Sequence, residues 1–285
     1  MAKVDLAERV VPVYGLAMRK KTIRDLRRRY SGVLGGMIGL VMSSAALAGD
    51  FLVDLAPENG EEAWRFRITP YVWAAGVSGE FSQFGLPVVE VNQSFSDVLE
   101  NLDFGAMAGM ELWRGRYGLF GDVSHVRLSG SGNVPGLLPV VVPVSATITN
   151  TTGMIAGQYR WLEGERGLVD VLGGVRGWSL KTSLSAGPPV SQSRSERASW
   201  ADPVIGLKGL AWLNESFYLT GWAMVGGGVG NASSVIDVMS GVGYKINQHT
   251  ALIFAYRYSA VDYHTGAFVN DSTQHGFGLG LDIRF

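Results

Sequence analysis

The sequence contains no cysteine, so disulfides and thiolate metal sites are both excluded. Histidine is scarce at four residues, which restricts imidazole chemistry to positions 125, 249, 264 and 275. Charged residues make up only 17% of the chain. After residue 50 no stretch approaches the roughly 18 consecutive apolar residues that a membrane-crossing helix needs. A helical membrane protein is therefore excluded. What the chain does have is glycine, 39 residues of it, and 11% aromatic residues.

The formal charge of −1 hides two unlike parts. Residues 18 to 30, "MRKKTIRDLRRRY", are basic, and they are followed by "SGVLGGMIGLVMSSAALA", which ends on Ala46-Leu47-Ala48. The order of basic, apolar and small residues is that of a secretory signal peptide, with Ala46 and Ala48 at the positions read by signal peptidase and Gly49 as the first mature residue. Met18 is a plausible true start, which would make residues 1 to 17 an overextended gene start. Removing residues 1 to 48 takes away nine basic and three acidic residues, leaving 15 basic against 22 acidic, a net of −7. That balance argues against nucleic acid as a partner. The expected address is the cell envelope.

Residues 49 to 63 read as an acidic, irregular periplasmic lead-in. Beyond them, runs with period-2 alternation recur near 64–76, 103–114, 117–130, 144–162, 168–184, 198–213, 216–229, 233–246, 249–263 and 274–285. Period 2 means β-strand, and these runs exceed the five or six residues of an ordinary soluble strand. The last run, "HGFGLGLDIRF", sets His275, Phe277, Leu279, Leu281, Ile283 and Phe285 on one face against Gly, Asp and Arg on the other. Eleven residues at about 3.4 Å each, tilted near 45°, span about 26 Å, the height of a bilayer's apolar band. Tight turns ("RGRY", "EGERG", "NES", "NQH") alternate with longer stretches at 77–102, 131–143, 185–197, 230–232 and 264–273. The expectation is an all-β fold: one closed antiparallel up-and-down transmembrane β-barrel over residues 64–285, with about ten strands and eight or twelve as alternatives. Closure removes sheet edges and pairs every backbone group in lipid. Tyr159, Trp161, Phe217, Tyr244 and Phe285 fall at the turn end as an aromatic girdle, with Tyr256 and Tyr258 toward the other rim.

Alternation also assigns an interior. Glu111, Asp122, Asp170, Asp202, Asp237 and Asp282 point inward, as do Arg160, Arg176, Lys208, Lys245, Arg257 and Arg284. Six acids facing six bases predict cross-lumen ion pairs, since isolated charges in so narrow a space are costly. A barrel of about eight strands is filled by side chains, so ten strands predict a plugged or narrow lumen. "SFSDVLENLD" (94–103) carries a capping-box pattern at Ser94 and Asp97 and predicts one short helix in the first long loop, tucked against the barrel mouth or plugging it.

With "ITPYVWAAGVSG", "MELWRGRYGLFGDVSHVRL", "WADPVIGLKG", "FAYRYSAVDY" and the terminal "LGLDIRF", the chain resembles small Gram-negative outer-membrane β-barrel proteins of the opacity-protein or OmpA-barrel type. The resemblance covers residues 64–285 and implies a cell outer-membrane location. It implies that Phe277, Leu279, Leu281, Ile283 and Phe285 form a C-terminal assembly signal read by the barrel-assembly machinery, with periplasmic chaperones as further partners during biogenesis. Outer-membrane lipids and lipopolysaccharide are the expected surroundings, and the barrel is expected to be a monomer without cofactor or metal. Its expected role is structural or at the cell surface, with a narrow pore as an open variant.

The alternative function is a lipid-modifying hydrolase, of the lipid A deacylase or phospholipase type, which needs a His base beside a Ser nucleophile or an Asp–His pair activating water. The nearest match is "SHVRLSG", but His125 and Ser129 lie four residues apart, about 13 Å along a strand. No catalytic residue is assigned.

Overall fold

The computed structural model describes residues 63–135, 141–228 and 231–285. The signal region with Ala46, Ala48 and Gly49, and the lead-in as far as residue 62, lie outside the described residues. Eleven strands and one helix follow in order: β1 (Trp64–Ser82), β2 (Val89–Gln93), α1 (Phe95–Glu100), β3 (Leu102–Arg114), β4 (Tyr117–Pro135), β5 (Val141–Gly164), β6 (Gly167–Ala186), β7 (Gln192–Trp212), β8 (Phe217–Gly226), β9 (Ala232–Lys245), β10 (Thr250–Thr265) and β11 (Phe268–Arg284).

Each strand pairs antiparallel with its neighbours, and β11 closes back on β1, so ten strands make the barrel. The eleventh, β2, pairs with the upper half of β1 (Val77–Phe81), while β3 pairs with its lower half (Trp64–Tyr71). The turns after β3, β5, β7 and β9 lie at one end, together with Trp64 and Phe285, and the β10–β11 turn lies at the other.

The register fixes the barrel's geometry. Opposite residues followed from Arg114 on β3 run through Tyr117, Tyr159, Val171, Leu207, Ala223, Val238, Tyr258 and His275. They return to β1 at Gly76, twelve residues beyond Trp64, Arg114's own partner on that strand. Twelve residues of stagger over ten strands, with about 3.3 Å per residue and 4.8 Å per strand, give a tilt of about 40° and a backbone radius of about 10 Å. A lumen that narrow fills with side chains.

Outward positions carry an apolar belt: Phe254, Leu279, Ile155, Ile205 and Val72 are all largely exposed. At the short-turn end the girdle aromatics pair across strands, Tyr117 with Tyr159 at 5.2 Å, Phe217 with Tyr244 at 5.0 Å and Phe66 with Phe285 at 5.7 Å. Phe277, Leu279, Leu281 and Ile283 face outward on β11, and Phe285, one residue past its end, is exposed.

The long connections are much shorter than the sequence reading expected. Strands run to Ser82, Pro135, Ala186 and Thr265 and resume at Val141, Gln192 and Phe268, so most of the presumed loop residues are strand. Of those extensions, "SGN" (131–133), "QSRSER" (192–197) and "NDST" (270–273) are polar on both faces. An apolar alternation therefore ends where the belt ends, although the backbone ladder continues. The extensions form two walls, β4–β7 and β10–β11–β1–β2, with low rims at β3 and at β8–β9.

Candidate functional site: the ionic lumen and the outer walls

The interior is built in layers. Near the short-turn end, Arg160 lies over the Trp113 ring at 4.5 Å and donates to Asp170 at 2.8 Å and Glu163 at 3.2 Å. Above it, Glu111 accepts from Lys208 at 2.6 Å, Trp113 Nε1 at 3.0 Å and Arg67 at 3.4 Å. Arg67 and Arg284 converge on Asp282 at 3.3 and 2.9 Å, and Thr69 adds a hydroxyl at 3.2 Å.

The next layer crosses the whole lumen. Arg257 on β10 reaches Asp122 on β4 at 2.9 Å and Asp237 on β9 at 2.8 Å. Arg176 on β6 also donates to Asp237, and Trp222 Nε1 donates to it at 2.7 Å. Tyr71 bridges Arg257 and Asp122, accepting from the first at 2.8 Å and donating to the second at 2.8 Å. Arg257, Asp122 and Asp237 each thus have an opposite charge and a neutral hydrogen-bonding partner, the condition under which burying ions is tolerable, whereas Arg176 has Asp237 and leaves its buried Nε without a partner among the described residues.

Aromatic rings close the space above. Trp200 stacks on Tyr263 at 4.3 Å and on Trp178 at 5.6 Å, with Phe268 tilted against Tyr263 at 5.8 Å. Over them the β1–β2 turn folds inward. Phe84, at φ +60, is buried, its N–H donates to Glu196 on β7, and its ring receives Arg194 at 5.3 Å.

The twelve charges assigned inward fare differently. Glu111, Asp122, Arg160, Asp170, Arg176, Lys208, Asp237, Arg257 and Asp282 are buried in the ion pairs just described. Asp202 is buried and pairs with no cation among the described residues; it accepts the backbone N–H of Asn231 at 2.6 Å and of Ala232 at 2.8 Å instead of spanning the lumen. Lys245 is only half-buried and lies over the Trp212 ring at 5.9 Å, at the short-turn end, where no carboxylate among the described residues pairs with it. Arg284 is half-buried at the same end. The sequence reading missed Arg67 and Tyr71. The signal was present, because "RFRITPYVW" alternates just as the other strands do.

Helix α1 does have the capping box: Ser94 Oγ accepts from the Asp97 N–H, and the Asp97 carboxylate accepts from the Ser94 N–H. Those bonds to Ser94 hold the Asp97 carboxyl below its usual range. The helix does not plug the lumen. The chain entering it crosses the outward face at Gly76, where a Cβ would lie 2.9 Å from the Gln93 carbonyl, and none of the helix residues is buried. Phe95 and Leu99 are exposed beside the top of the belt.

The histidines sit on the outside. His125 Nδ1 pairs with Thr151 Oγ1 at 2.7 Å, while Ser129 donates to Asp103 at 2.6 Å, so the two do not address each other. His275 pairs with the Tyr256 hydroxyl at 2.8 Å, and His264 with Asp262 at 2.8 Å on the outward face. Among the described residues, no group of three or more His, Asp or Glu could hold a metal ion. A shallow recess of about 470 Å³ opens between the tips of β4, β5 and β6, lined by Ser131, Asn133, Pro143, Ser145 and Ser185.

No family model and no curated protein sequence matches the chain. Among solved structures, it is similar to the outer membrane protease OmpT from Escherichia coli, with a TM-score of 0.52 and 9% identity, covering 78% of this chain and 96% of that one. The translocator domain of the autotransporter NalP from Neisseria meningitidis matches with a TM-score of 0.43 and 15% identity, over 92% of this chain and 98% of that one. Ail, the attachment invasion locus protein of Yersinia pestis, matches with a TM-score of 0.33 and 12% identity, over 79% and 99%. The first likeness is one of fold: the closed antiparallel barrel of small Gram-negative outer-membrane proteins.

Proposed function

We propose that this protein is a closed, non-conducting outer-membrane barrel whose role is at the cell surface, where it carries the two polar β-walls outside the bilayer. The observation that carries the reading is the Arg257–Asp122–Asp237–Arg176 layer, which ties opposite walls together under stacked aromatic rings. A solute would have to break several buried ion pairs to pass, each costing several kcal/mol (about 3–5 when one partner is lost). The outward belt with its aromatic girdle supports the membrane location, because such a band is stable only against lipid.

Three measurements test the reading. Cell fractionation should recover the protein with outer membranes. Purified protein in planar bilayers should give no stepwise conductance, and a parallel lipase and deacylase screen should show no turnover. Regular conductance steps from the unaltered protein would overturn the closed-lumen reading, and turnover would replace the surface role with catalysis.

A further inference from the structure

The outward face of β4–β7 is striped. At the top of the belt one row of directly opposed residues is apolar: Val123, Gly153, Gly177 and Ala201. Two residues further out the row is His125, Thr151, Ser179 and Ser199, with the Ser199 hydroxyl donating to Ser179 at 3.1 Å. The next is Arg127, Thr149, Lys181 and Arg197, and the one after it Ser129, Thr147, Ser183 and Ser195. The order outward is thus apolar, hydroxyl, cation, hydroxyl.

Lys181 and Arg197 are directly opposed, both are exposed, and neither has an anionic partner among the described residues. Like charges directly opposed in a sheet repel, so the pair costs stability unless an anion lies between them. Arg127, two strands away, is held by Asp103 at 3.3 Å, with its side chain 56% exposed. Because the strands tilt by about 40°, the cation row climbs by about 9 Å from Arg127 to Arg197, away from the belt. The opposite wall carries the reverse charge: Asp262, Asp271, Glu80 and Glu90 form one row across β10, β11, β1 and β2. The charge above the belt is therefore segregated by side.

We propose that the β4–β7 face, from Arg127 through Lys181 to Arg197, binds the phosphorylated sugar headgroup of an outer-leaflet glycolipid. The belt takes the acyl chains, the Ser and Thr rows take sugar hydroxyls, and the cations take phosphate by charge-assisted hydrogen bonds. The inference rests on the outer-membrane reading above, since only there does such a headgroup stand at this height.

The test uses the full protein purified in detergent and three probes: bis-phosphorylated lipid A, the same lipid without its phosphates, and phosphatidylglycerol. Retained lipid is read by native mass spectrometry. Bis-phosphorylated lipid A should be held about tenfold or more tightly than either other probe, and Lys181→Gln with Arg197→Gln should remove that preference. Glu80→Gln with Asp271→Asn, on the other wall, should not weaken retention. Equal retention by the Lys181→Gln/Arg197→Gln protein would overturn the proposal, as would equal retention of phosphatidylglycerol by the unaltered protein. Folding of each variant is checked by its heat-modifiable migration. The binding measurement is independent of fractionation, so a protein absent from the outer membrane would fail the location reading without deciding what this face binds.

Discussion

Arg257 and Asp122 stand on opposite walls of the barrel and meet at 2.9 Å across its axis. Both are buried, and the same guanidinium also holds Asp237. The closure of the lumen depends on this one side chain more than on any other in its layer.

Arg257→Ala should therefore cost about 3–5 kcal/mol, because it leaves two buried carboxylates with fewer cations. Leu279→Ala should cost only about 1 kcal/mol, since the leucine is 46% exposed on the belt and orphans no polar group. Reversible unfolding in detergent or lipid measures both. Equal losses would mean that the ion layer contributes no more than the belt.

Tyr218 lies flat across Gly243, its directly opposed partner on β9, and is 1% exposed. A Cβ at position 243 would lie only 2.0 Å from Cζ of the tyrosine ring. Gly243→Ala should expel the ring and cost about 1–3 kcal/mol, as overpacking does elsewhere. The loss should shrink in a Tyr218→Leu background, where the clash is gone. A double-mutant cycle with no coupling would refute this packing.

Asp271 lies beyond the apolar belt on β11. Burial raises its pKa first, and the neighbouring Asp262 and Glu80 raise it further, with His264 acting against them. A carboxyl whose folded pKa is raised binds more protons folded than unfolded, so it destabilises the fold above that pKa. The penalty fades as pH falls through the raised pKa toward the ordinary carboxylate value. The β10–β11 hairpin tip should become better protected in hydrogen exchange as pH is lowered through that window, after correction for intrinsic exchange. Asp271→Asn should flatten the dependence; an unchanged slope in the variant would place its origin elsewhere.

Phe285 is 71% exposed, with its ring against Phe66 and its backbone N–H donating to the Phe66 carbonyl at 2.9 Å. Truncating so exposed a ring should cost the finished barrel only about 1 kcal/mol. If it belongs to an assembly signal, Phe285→Ala should still lower the amount of folded protein in the outer membrane while leaving detergent refolding unchanged. Normal outer-membrane yield, or equal failure in detergent, would exclude the signal.

The period-2 pattern by itself determined the strand type, the antiparallel alternation of turns and the side on which most residues lie. That is because pleat geometry sends consecutive side chains to opposite faces whatever the neighbours are. It therefore placed Arg257, Asp237 and Asp122 inward and Leu279 and Phe277 outward. It could not say that Arg257 meets Asp122, that Asp202 caps backbone amides, or that Lys245 lies over the Trp212 ring. The cross-lumen pairing depends on the twelve-residue stagger accumulated around ten strands, a property of closure that no single strand encodes. The registers of the β6–β7, β10–β11 and β1–β2 hairpins, set by their turns, put Lys181 opposite Arg197, Asp262 opposite Asp271 and Glu80 opposite Glu90, and the closure of β11 on β1 joined the acids into one row. Polar wall extensions were missed for a related reason: outside the belt both faces meet water, so the chain keeps its ladder hydrogen bonds while losing the apolar alternation that makes a strand visible in sequence.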